Sequence, residues 1–392
     1  MRLAVYTDYV YRRDGDAVYA ERAFSLFLSR LGREVDRLII AGRLDPEPGR
    51  SHYRLPDGVG FVPLPHYESL TNPADVAAAL GGSVRRFWRL LGDVDIVWLL
   101  GPHPLAVLFA GLAALRRKRV RLGVRQDLPE YLRSRHPDRR RLHAVGWLID
   151  SSYRLMARIW PVVVVGPALA RNYRHAGHLL EMTVSLIEES EIVSAEFFEA
   201  RSYDGSSDLT ILSVGRLETE KNSLLLADVL GALRAHDPRW RLVVYGEGPL
   251  RAALEQRLRN LNLDGCVELR GYVPLKDGLL DTYRQSHAFL HVSLTEGLPQ
   301  VLFEAFAARL PVVATAVGGI PEAVADAALL VRPGDPAAAA AALESIAYDE
   351  RLRKRLVQNG VASVRRHTLD EEVRAVRAFL ETGARSVSGA QL

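Results

Sequence analysis

Short β-branched runs alternate with helical patterns along most of the chain, and this alternation constrains the fold more than any other feature. In the first half it predicts buried strands at 2–8, 35–40, 94–100, 120–124 and 162–166, with helices at 20–32 and 140–160. In the second half it predicts strands at 209–215, 241–246, 267–271, 288–293, 311–316 and 328–333, with helices at 223–237 and 249–261. Alternation of this kind forms parallel sheets covered on both faces, so we expect an α/β protein with two such sheets.

The length of 392 residues is too great for one hydrophobic core and suits two domains. We predict an N-terminal domain at 1–200 and a C-terminal domain at 201–368. The join lies in the polar, glycine-containing stretch 199–208. We predict a last helix within 369–392, followed by a tail, and one interpretation is that this helix returns to the first domain.

Composition indicates an ordinary globular protein of a reducing compartment. The single cysteine, Cys266, excludes an internal disulfide framework. The first residues predict a strand rather than a signal peptide. No apolar run reaches the roughly 18 residues that a membrane span needs. We therefore expect a cytoplasmic protein.

The positive charge is concentrated in one tract. Residues 116–141 carry eleven Lys and Arg against three Asp and Glu, whereas the whole chain has a net charge of +4. Such a cluster suits an anionic partner or the inner surface of a membrane, and a solvated arginine-rich face is the alternative. Arg133, Arg135 and Arg139 to Arg141 flank apolar residues, as in a helix that lies at a membrane interface. No nucleic-acid recognition motif accompanies the charge, so we expect no nucleic-acid partner.

Four loops of the second half follow strands and carry charged residues or glycines. Gly215, Arg216 and Lys221 follow one strand, and Gly246-Glu247-Gly248-Pro249 follows the next. Glu296-Gly297-Leu298-Pro299 and a Gly-Gly pair at 318 and 319 follow two others. Because the carboxyl ends of parallel strands meet at one sheet edge, we expect these loops to converge on a ligand.

The converging residues fit a nucleotide diphosphate-sugar. Arg216 and Lys221 would neutralise a diphosphate, and the glycines would let backbone N–H groups approach it. Pro299 suits the first position of a helix, which places Glu304 one turn further along the same cleft. Glu304 would accept hydrogen bonds from ribose hydroxyls, and Glu296 would reach the sugar.

These motifs, namely Glu-x7-Glu with Gly-x-Pro after the first acid, Gly-Arg…Lys, YGEGP and GGIPE, resemble those of glycosyltransferase family 4, specifically over about 209–335. The resemblance implies a retaining transferase of the GT-B fold, with two facing Rossmann-like domains. It implies donor binding on the C-terminal domain, acceptor binding mainly on the N-terminal one, and no metal. It also implies that the backbone around Tyr272 and Val273 meets the base. Glu296, Arg216 and Lys221 are expected to be catalytic. The expected donor-binding set is Gly15, Gly215, Gly246, Gly248, Pro249, Tyr272, Val273, Gly297, Leu298, Pro299, Gln300, Val301 and Glu304.

The first half departs from the family pattern. Gly15 alone, in YRRDGDAVY, stands where a Gly-Gly loop near the donor phosphates is usual, and Arg125-Gln126-Asp127 stands where a histidine often occurs. His103 is the nearest histidine and is a catalytic candidate, although a capping or core role is an alternative. We predict Asp14, Asp16, Arg125, Gln126 and Asp127 as acceptor-binding candidates.

Three alternatives remain open from the sequence. Asp93 and Asp95 resemble a metal-binding pair of another transferase fold, but they precede a strand, and we expect neither a metal nor another cofactor. The protein is expected to be a glycosyltransferase that uses a nucleotide diphosphate-sugar. A nucleotide-sugar epimerase or hydrolase, and a non-catalytic nucleotide-binding relative, are the alternatives.

Overall fold

The computed structural model describes residues 1–67, 73–135, 138–199, 201–203, 205 and 207–384. The chain divides into two compact units, one formed by the segment up to Val184 with the C-terminal helix, and the other by Ser185–Thr368. The division therefore lies before the predicted position at residue 200, and the predicted join at 199–208 falls partly outside the described residues.

The first unit is built on a sheet whose central strand is the long N-terminal strand β1. The path of the sheet is β4-β2-β1-β6-β7-β8-β9, and β3 joins β1 to β5. Its strands are β1 Arg2–Asp14, β2 Ala17–Ala20, β3 Arg37–Leu44, β4 Tyr53–Arg54, β5 Val59–Leu64, β6 Ile96–Gly101, β7 Arg119–Val124, β8 Val162–Val165 and β9 Leu179–Met182. Its helices are α1 Phe24–Gly32, α2 Pro73–Leu90, α3 Pro104–Leu115, α4 Leu128–Arg135, α5 Arg140–Met156 and α6 Pro167–Asn172.

The second unit has a six-stranded sheet in the order β12-β11-β10-β13-β14-β15, and every pairing in it is parallel. Its strands are β10 Leu209–Val214, β11 Trp240–Tyr245, β12 Val267–Leu269, β13 Ala288–His291, β14 Val312–Thr315 and β15 Ala328–Val331. Its helices are α7 Ala195–Glu199, α8 Leu225–His236, α9 Arg251–Asn260, α10 Leu280–Gln285, α11 Gln300–Ala307, α12 Ile320–Val324, α13 Pro336–Tyr348 and α14 Glu350–Arg366.

The C-terminal helix α15, Leu369–Thr382, packs on the first unit. It contacts α1 and β9, and Glu372 on it accepts a hydrogen bond from the backbone N–H of Thr183 at 3.1 Å. Val373, Val376 and Leu380 are fully buried, which fits the 3.6-residue repeat of one apolar helix face.

The order of the second sheet places its functional edge. Successive strands β10, β11 and β12 extend the sheet in one direction, and β13, β14 and β15 extend it in the other. The chain reverses between the neighbours β10 and β13. In open parallel sheets the crevice at such a reversal, beyond the carboxyl ends of the strands, is where ligands bind.

The backbone of Gly246, directly after β11, lies very close to the end of the neighbouring strand β10. Its φ is +146°, and a Cβ there would lie 1.9 Å from the carbonyl oxygen of Gly215. Gly246→Ala should therefore lower the free energy of unfolding by at least about 2 kcal/mol in urea denaturation. Gly81→Ala in α2 is the matched control: a Cβ there meets nothing within 4 Å. It should be neutral or stabilise by up to about 1 kcal/mol. Equal effects of the two changes would contradict the close approach.

Candidate functional site

The reversal between β10 and β13 brings together the charged residues that follow these two strands. Gly215, Arg216 and Lys221 come from the β10 side, and His291 and Ser293 from the β13 side, and all five line one small cavity. The backbone N–H of Leu294 donates to the carbonyl of Glu220 at 2.8 Å, which ties the two loops together. The predicted convergence of these loops is therefore present within the second unit.

Glu296, in the loop after β13, contacts three of the residues that line this cavity. Its Oε1 lies 2.5 Å from Lys221 Nζ, 2.9 Å from His291 Nε2 and 2.7 Å from Ser293 Oγ, and its side chain is 8% exposed. All three contacts fall on one oxygen. Among the described residues no hydrogen bond to Oε2 is present, so this oxygen remains able to accept from a ligand.

The surroundings of Glu296 keep it ionised. Burial by itself would raise the pKa, but the hydrogen bond from His291 and the charge of Lys221 outweigh it and lower the pKa of Glu296 to about 2. Donation from His291 requires its proton on Nε2. The site therefore presents a buried carboxylate with a lysine beside it at any physiological pH.

Glu304 has a different environment. It lies on α11, is 7% exposed, and its Oε2 accepts a hydrogen bond from the hydroxyl of Tyr283 at 2.7 Å. Burial raises the pKa of Glu304 to about 7, because the tyrosine hydroxyl supplies only a neutral donor. Pro299 occupies the N-cap position of α11, one residue before the expected first helical position.

Glycines hold the other loops of this edge in contact with one another. A Cβ at Gly248 would lie 2.4 Å from the carbonyl oxygen of Leu217, and one at Gly318 would lie 1.7 Å from that of Glu296. A Cβ at Gly215 would instead meet nothing within 4 Å. Gly246, Gly248 and Gly318 thus pack loop on loop, and Gly215 is the glycine of this set that leaves open space.

The remaining predicted donor-binding residues lie on the same edge. The N–H of Gly246 donates to the carbonyl of Gly271 at 2.7 Å, which places Tyr272 and Val273 beside the β11 loop. Tyr272 is 43% exposed. The carbonyl of Gly297 accepts from the N–H of Gly319 at 3.1 Å. The others are in the turn after β11 or at the start of α11: Pro249, Leu298, Gln300 and Val301.

Arg216 is held by acids of its own loop. Its guanidinium lies 2.6 Å from Glu218 Oε2 and 3.3 Å from Glu220 Oε1, and its side chain is 44% exposed. These two carboxylates orient the arginine, and a diphosphate would have to draw the guanidinium away from them.

His103, in the first unit, is part of a separate buried cluster. It is the N-cap of α3, where Nδ1 accepts from the N–H of Leu105 at 3.2 Å and meets Tyr6 Oη at 2.9 Å. Its Nε2 lies 3.1 Å from Asp8 Oδ1 and 3.2 Å from Tyr67 Oη. Burial lowers the pKa of His103, so it is neutral near pH 7. His103 is therefore a helix cap, which was one of the alternatives for this residue. Its catalytic role stays a prediction.

The acceptor candidates, together with the donor candidate Gly15, fall into two separate places in the first unit. Gly15 has φ +58° and forms with Asp16 the two-residue turn of the β1–β2 hairpin, and Asp14 pairs with Arg50 at 2.5 Å. Arg125 lies over the rings of Tyr9 and Phe24, with its guanidinium carbon 4.5 and 4.9 Å from their centroids. Gln126 is exposed beside it.

Asp127 has a structural role that sequence reasoning did not anticipate. Its Oδ1 accepts from the N–H of Glu130 at 2.9 Å, and its Oδ2 accepts from Asn172 at 2.9 Å. A carboxylate at the start of α4 satisfies backbone donors that the helix leaves unpaired. Asp127 also lines a cavity of about 470 Å³ between α4 and α5, whereas Gly15 lines another of about 480 Å³.

Asp95 precedes β6, at the amino end of the strand. It accepts from the backbone N–H and the guanidinium of Arg2, and these hydrogen bonds lower the pKa of Asp95 to about 2. In the part of the chain that is described, no group of three or more His, Cys, Asp or Glu residues is arranged to hold a metal ion. No described helix is long and apolar enough to cross a membrane.

His291 and Ser293 are the site residues that sequence reasoning missed. The position of His291 in the sequence could have identified it. His291 is the last residue of β13, five residues before Glu296 and on the same functional edge. A polar residue at the carboxyl end of a buried parallel strand deserves consideration as part of the site.

Comparison with known proteins finds relatives of the second unit. Residues 196–362 match the family described as glycosyl transferases group 1. A 129-residue stretch is 39% identical to the gpi3 subunit of phosphatidylinositol N-acetylglucosaminyltransferase from Schizosaccharomyces pombe. That match covers 33% of this chain and only 28% of the relative. The resemblance stated from the motifs is thereby confirmed.

Solved structures give the fold of nearly the whole chain. Sucrose-phosphate synthase from Thermosynechococcus elongatus has a TM-score of 0.74 at 17% identity, over 97% of this chain and 98% of that one. HepE from Anabaena in complex with UDP has a TM-score of 0.70 at 15% identity, over 97% and 100%. At such identities the likeness concerns the fold alone, and the predicted GT-B class is confirmed.

The raised pKa of Glu304 predicts a pH dependence of stability. The folded state holds this proton up to pH of about 7, whereas an unfolded glutamate loses it near 4.5. The neutral form of Glu304 therefore stabilises the folded wild type at low pH. This contribution to the free energy of unfolding, on the order of 3 kcal/mol, is lost as the pH rises from about 4.5 through 7. Glu304→Gln should abolish this loss. The free energy of unfolding of the variant in urea, relative to that of the wild type, should therefore rise across that pH window.

Glu255→Gln, on α9, is the control for this change, because Glu255 is 39% exposed and pairs with Arg251. Histidines with lowered pKa values, such as His103 and His287, shift stability with the opposite sign in the same window. They contribute equally to wild type and variant, so the difference between the two isolates Glu304. A difference that does not change with pH would show that Glu304 is not buried as a neutral acid.

Proposed function

We propose that the protein is a retaining glycosyltransferase, on the premise that residues 196–362 match the glycosyl transferases group 1. It moves a sugar from a nucleotide diphosphate-sugar to a hydroxyl group of the acceptor. The observation that carries the proposal is the contact between Lys221 Nζ and Glu296 Oε1 at the reversal between β10 and β13. A fixed cation beside a fixed carboxylate suits a ligand in which a diphosphate is joined to a sugar.

Each part of the donor has a matching group on this edge. Glu296 accepts a hydrogen bond from a sugar hydroxyl through Oε2, while Lys221 and Arg216 stabilise the departing diphosphate. Gly215 leaves room for the phosphates to approach the backbone. Glu304 accepts from the ribose, and the backbone at Tyr272 and Val273 meets the base.

The reaction needs little acid–base chemistry from the protein. The bond from the anomeric carbon to the phosphate oxygen breaks, and the acceptor oxygen bonds to that carbon on the same face. The acceptor proton passes to the departing phosphate oxygen. Preorganised donors that stabilise a leaving group contribute roughly 10²–10³ in rate each, and we propose that no metal or other cofactor takes part.

The acceptor is proposed to be membrane-bound or lipid-linked. The printed name of the Schizosaccharomyces pombe relative contains the lipid phosphatidylinositol, but the matched stretch covers about a quarter of that protein, so its substrate is only a guide. The high arginine content of the first unit supports the same class of acceptor, and we propose that the protein works at the cytoplasmic face of a membrane.

The test is a donor screen followed by product analysis. Uridine, guanosine and adenosine diphosphate-sugars are compared by thermal shift, because a ligand bound by the native state raises its stability. UDP-sugars come first, since HepE, of similar fold, binds UDP. The stabilising donor is then incubated with total membrane lipid, with and without EDTA, and the anomeric configuration of the product is read by NMR. Conversion of the donor without any acceptor would replace the proposal with an epimerase or a hydrolase.

Lys221→Ala and Arg216→Ala should each weaken the binding of a nucleoside diphosphate by about 10- to 100-fold, as expected for charge-assisted hydrogen bonds. The same changes should leave nucleoside binding nearly unaltered, because only the phosphates contact these cations. Isothermal titration calorimetry measures both. Lys354→Ala, at an exposed position of α14, is the matched control and should change neither. Equal losses for nucleoside and nucleoside diphosphate would contradict the assignment.

Glu296→Gln should lower kcat by about 10²–10³ and change the affinity for nucleoside diphosphate by less than about threefold. The reason is that the carboxylate meets the sugar, which the free diphosphate lacks. Glu304→Ala should instead weaken the binding of the nucleotide itself, because Glu304 contacts the ribose. Initial rates and calorimetry on the two variants, with Glu344→Gln as control, distinguish these roles. Identical behaviour of the two variants would refute this division of roles.

A further inference from the structure

We infer that helices α3 and α5 of the first unit form a docking surface for an anionic lipid bilayer. We call this surface the α3–α5 face and define it by its exposed apolar side chains: Leu108, Leu115, Val145, Trp147, Leu148, Leu155 and Ile159. The inference goes beyond the proposed transfer reaction, and its tests do not require activity.

The two helices lie side by side. They connect successive parallel strands, α3 between β6 and β7 and α5 between β7 and β8, so right-handed crossovers place both on the same face of the sheet. They also contact each other. Their outward stripes therefore belong to one continuous surface.

Apolar residues point outward on both helices. Of the thirteen large apolar side chains that are exposed in the described chain, seven lie on this face. Leu115 is 73% exposed, Trp147 62% and Leu148 61%. In a helix of 3.6 residues per turn, Val145, Leu148 and Leu155 share one stripe, so the outward positions form a strip rather than scattered points.

The sequence had left open whether these residues pack on the sheet and leave the arginines in water. The residues that face inward on α5 are Gly146, Asp150 and Tyr153. Val145, Trp147 and Leu148 face out instead. An exposed apolar strip of this size marks an interaction surface.

The positive charge around the strip indicates an anionic partner. Residues 104–160 contain 13 Lys and Arg against 4 Asp and Glu. Of these four acids, Asp127 caps α4, and Asp150 is buried against Arg154 and Tyr173. Arg139, Arg140 and Arg141 are exposed at the start of α5, whereas Arg135 has a side chain outside the described set.

Apolar side chains flanked by arginine, with a tryptophan at the edge, have the composition of a helix that lies in the headgroup region of a membrane. Helical periodicity places Trp147, Arg140 and Arg154 on the same flank of the strip. Tryptophan suits that depth because its ring is apolar and its N–H is polar. Anionic lipid satisfies both the charge and the apolar strip.

Vesicle sedimentation tests the docking surface with the intact chain. The protein should bind vesicles of phosphatidylcholine mixed with phosphatidylglycerol at low salt, and binding should fall as salt is raised. It should bind pure phosphatidylcholine vesicles far less. Because each arginine at an anionic surface contributes about a fivefold gain in partition, Arg140→Glu/Arg141→Glu should weaken binding by at least about 30-fold. Leu148→Ser should weaken it as well.

Matched variants carry the same chemical changes elsewhere. Arg351→Glu/Arg355→Glu reverses two exposed arginines on α14, and Leu261→Ser removes an apolar side chain that is 42% exposed. Both controls should bind vesicles like the wild type. Circular dichroism confirms that every variant is folded.

Fluorescence provides a second readout. Trp147 is the most exposed of the five tryptophans, Trp88 and Trp160 are partly exposed, and Trp98 and Trp240 are each 1% exposed. Anionic vesicles should shift the emission to shorter wavelength, and Trp147→Phe should remove most of the shift.

Three outcomes would overturn the inference. They are no binding to anionic vesicles at low salt, equal losses in the control variants, and a dimer in sedimentation equilibrium that Leu148→Ser dissociates. The last would assign the face to a second copy of this chain.

Discussion

The buried cluster around Glu296 is the interaction on which the functional edge of the second unit depends. A carboxylate that is 8% exposed would be expensive to ionise, and three donors on one oxygen offset that cost. His291 and Ser293 come from the same strand end as Glu296, whereas Lys221 is within reach because β10 and β13 are neighbours. Thr315 Oγ1 donates to the carbonyl of Ser293 at 2.7 Å, so the loop after β13 is also held from β14. The charge of the site therefore depends on the loop contacts, and the loop contacts depend on the order of the strands.

Two glutamates eight residues apart have opposite electrostatics, and the difference follows from their partners. Glu296 has a lysine and a histidine beside it and is ionised, with a pKa of about 2. Glu304 has the neutral hydroxyl of Tyr283, and its pKa is about 7. A ligand at Glu296 meets a charge that is already compensated. A ligand that donates hydrogen bonds to Glu304, as ribose hydroxyls do, favours its ionised form, so nucleotide binding and the charge of Glu304 are coupled.

Sequence reasoning located the central strands well and the edges poorly. All six strands of the second sheet were predicted, because each is a short β-branched run between turn residues, and this pattern depends only on burial on both faces. The strands β2, β4, β5 and β9 were not predicted, since they are short or only partly buried and take their pairing from β1, β2, β3 and β8. Pro299 was predicted as the first residue of α11, and the helix begins one residue later, at Gln300.

The same limit applies to individual side chains. Lys221 and Glu296 were predicted together because each follows a strand, but their direct contact depends on which strands are neighbours. Asp127 and His103 were singled out for chemistry, and the structure shows both as helix caps, a role that depends on local backbone direction. The outward direction of Val145, Trp147 and Leu148 could not be read from α5 alone, because an apolar position on a helix is buried only if a neighbouring element covers it. Nothing among the described residues covers that strip, and its arginines limit self-association by mutual repulsion. The apolar strip and the basic tract therefore have one physical explanation, a surface suited to an anionic and partly apolar partner.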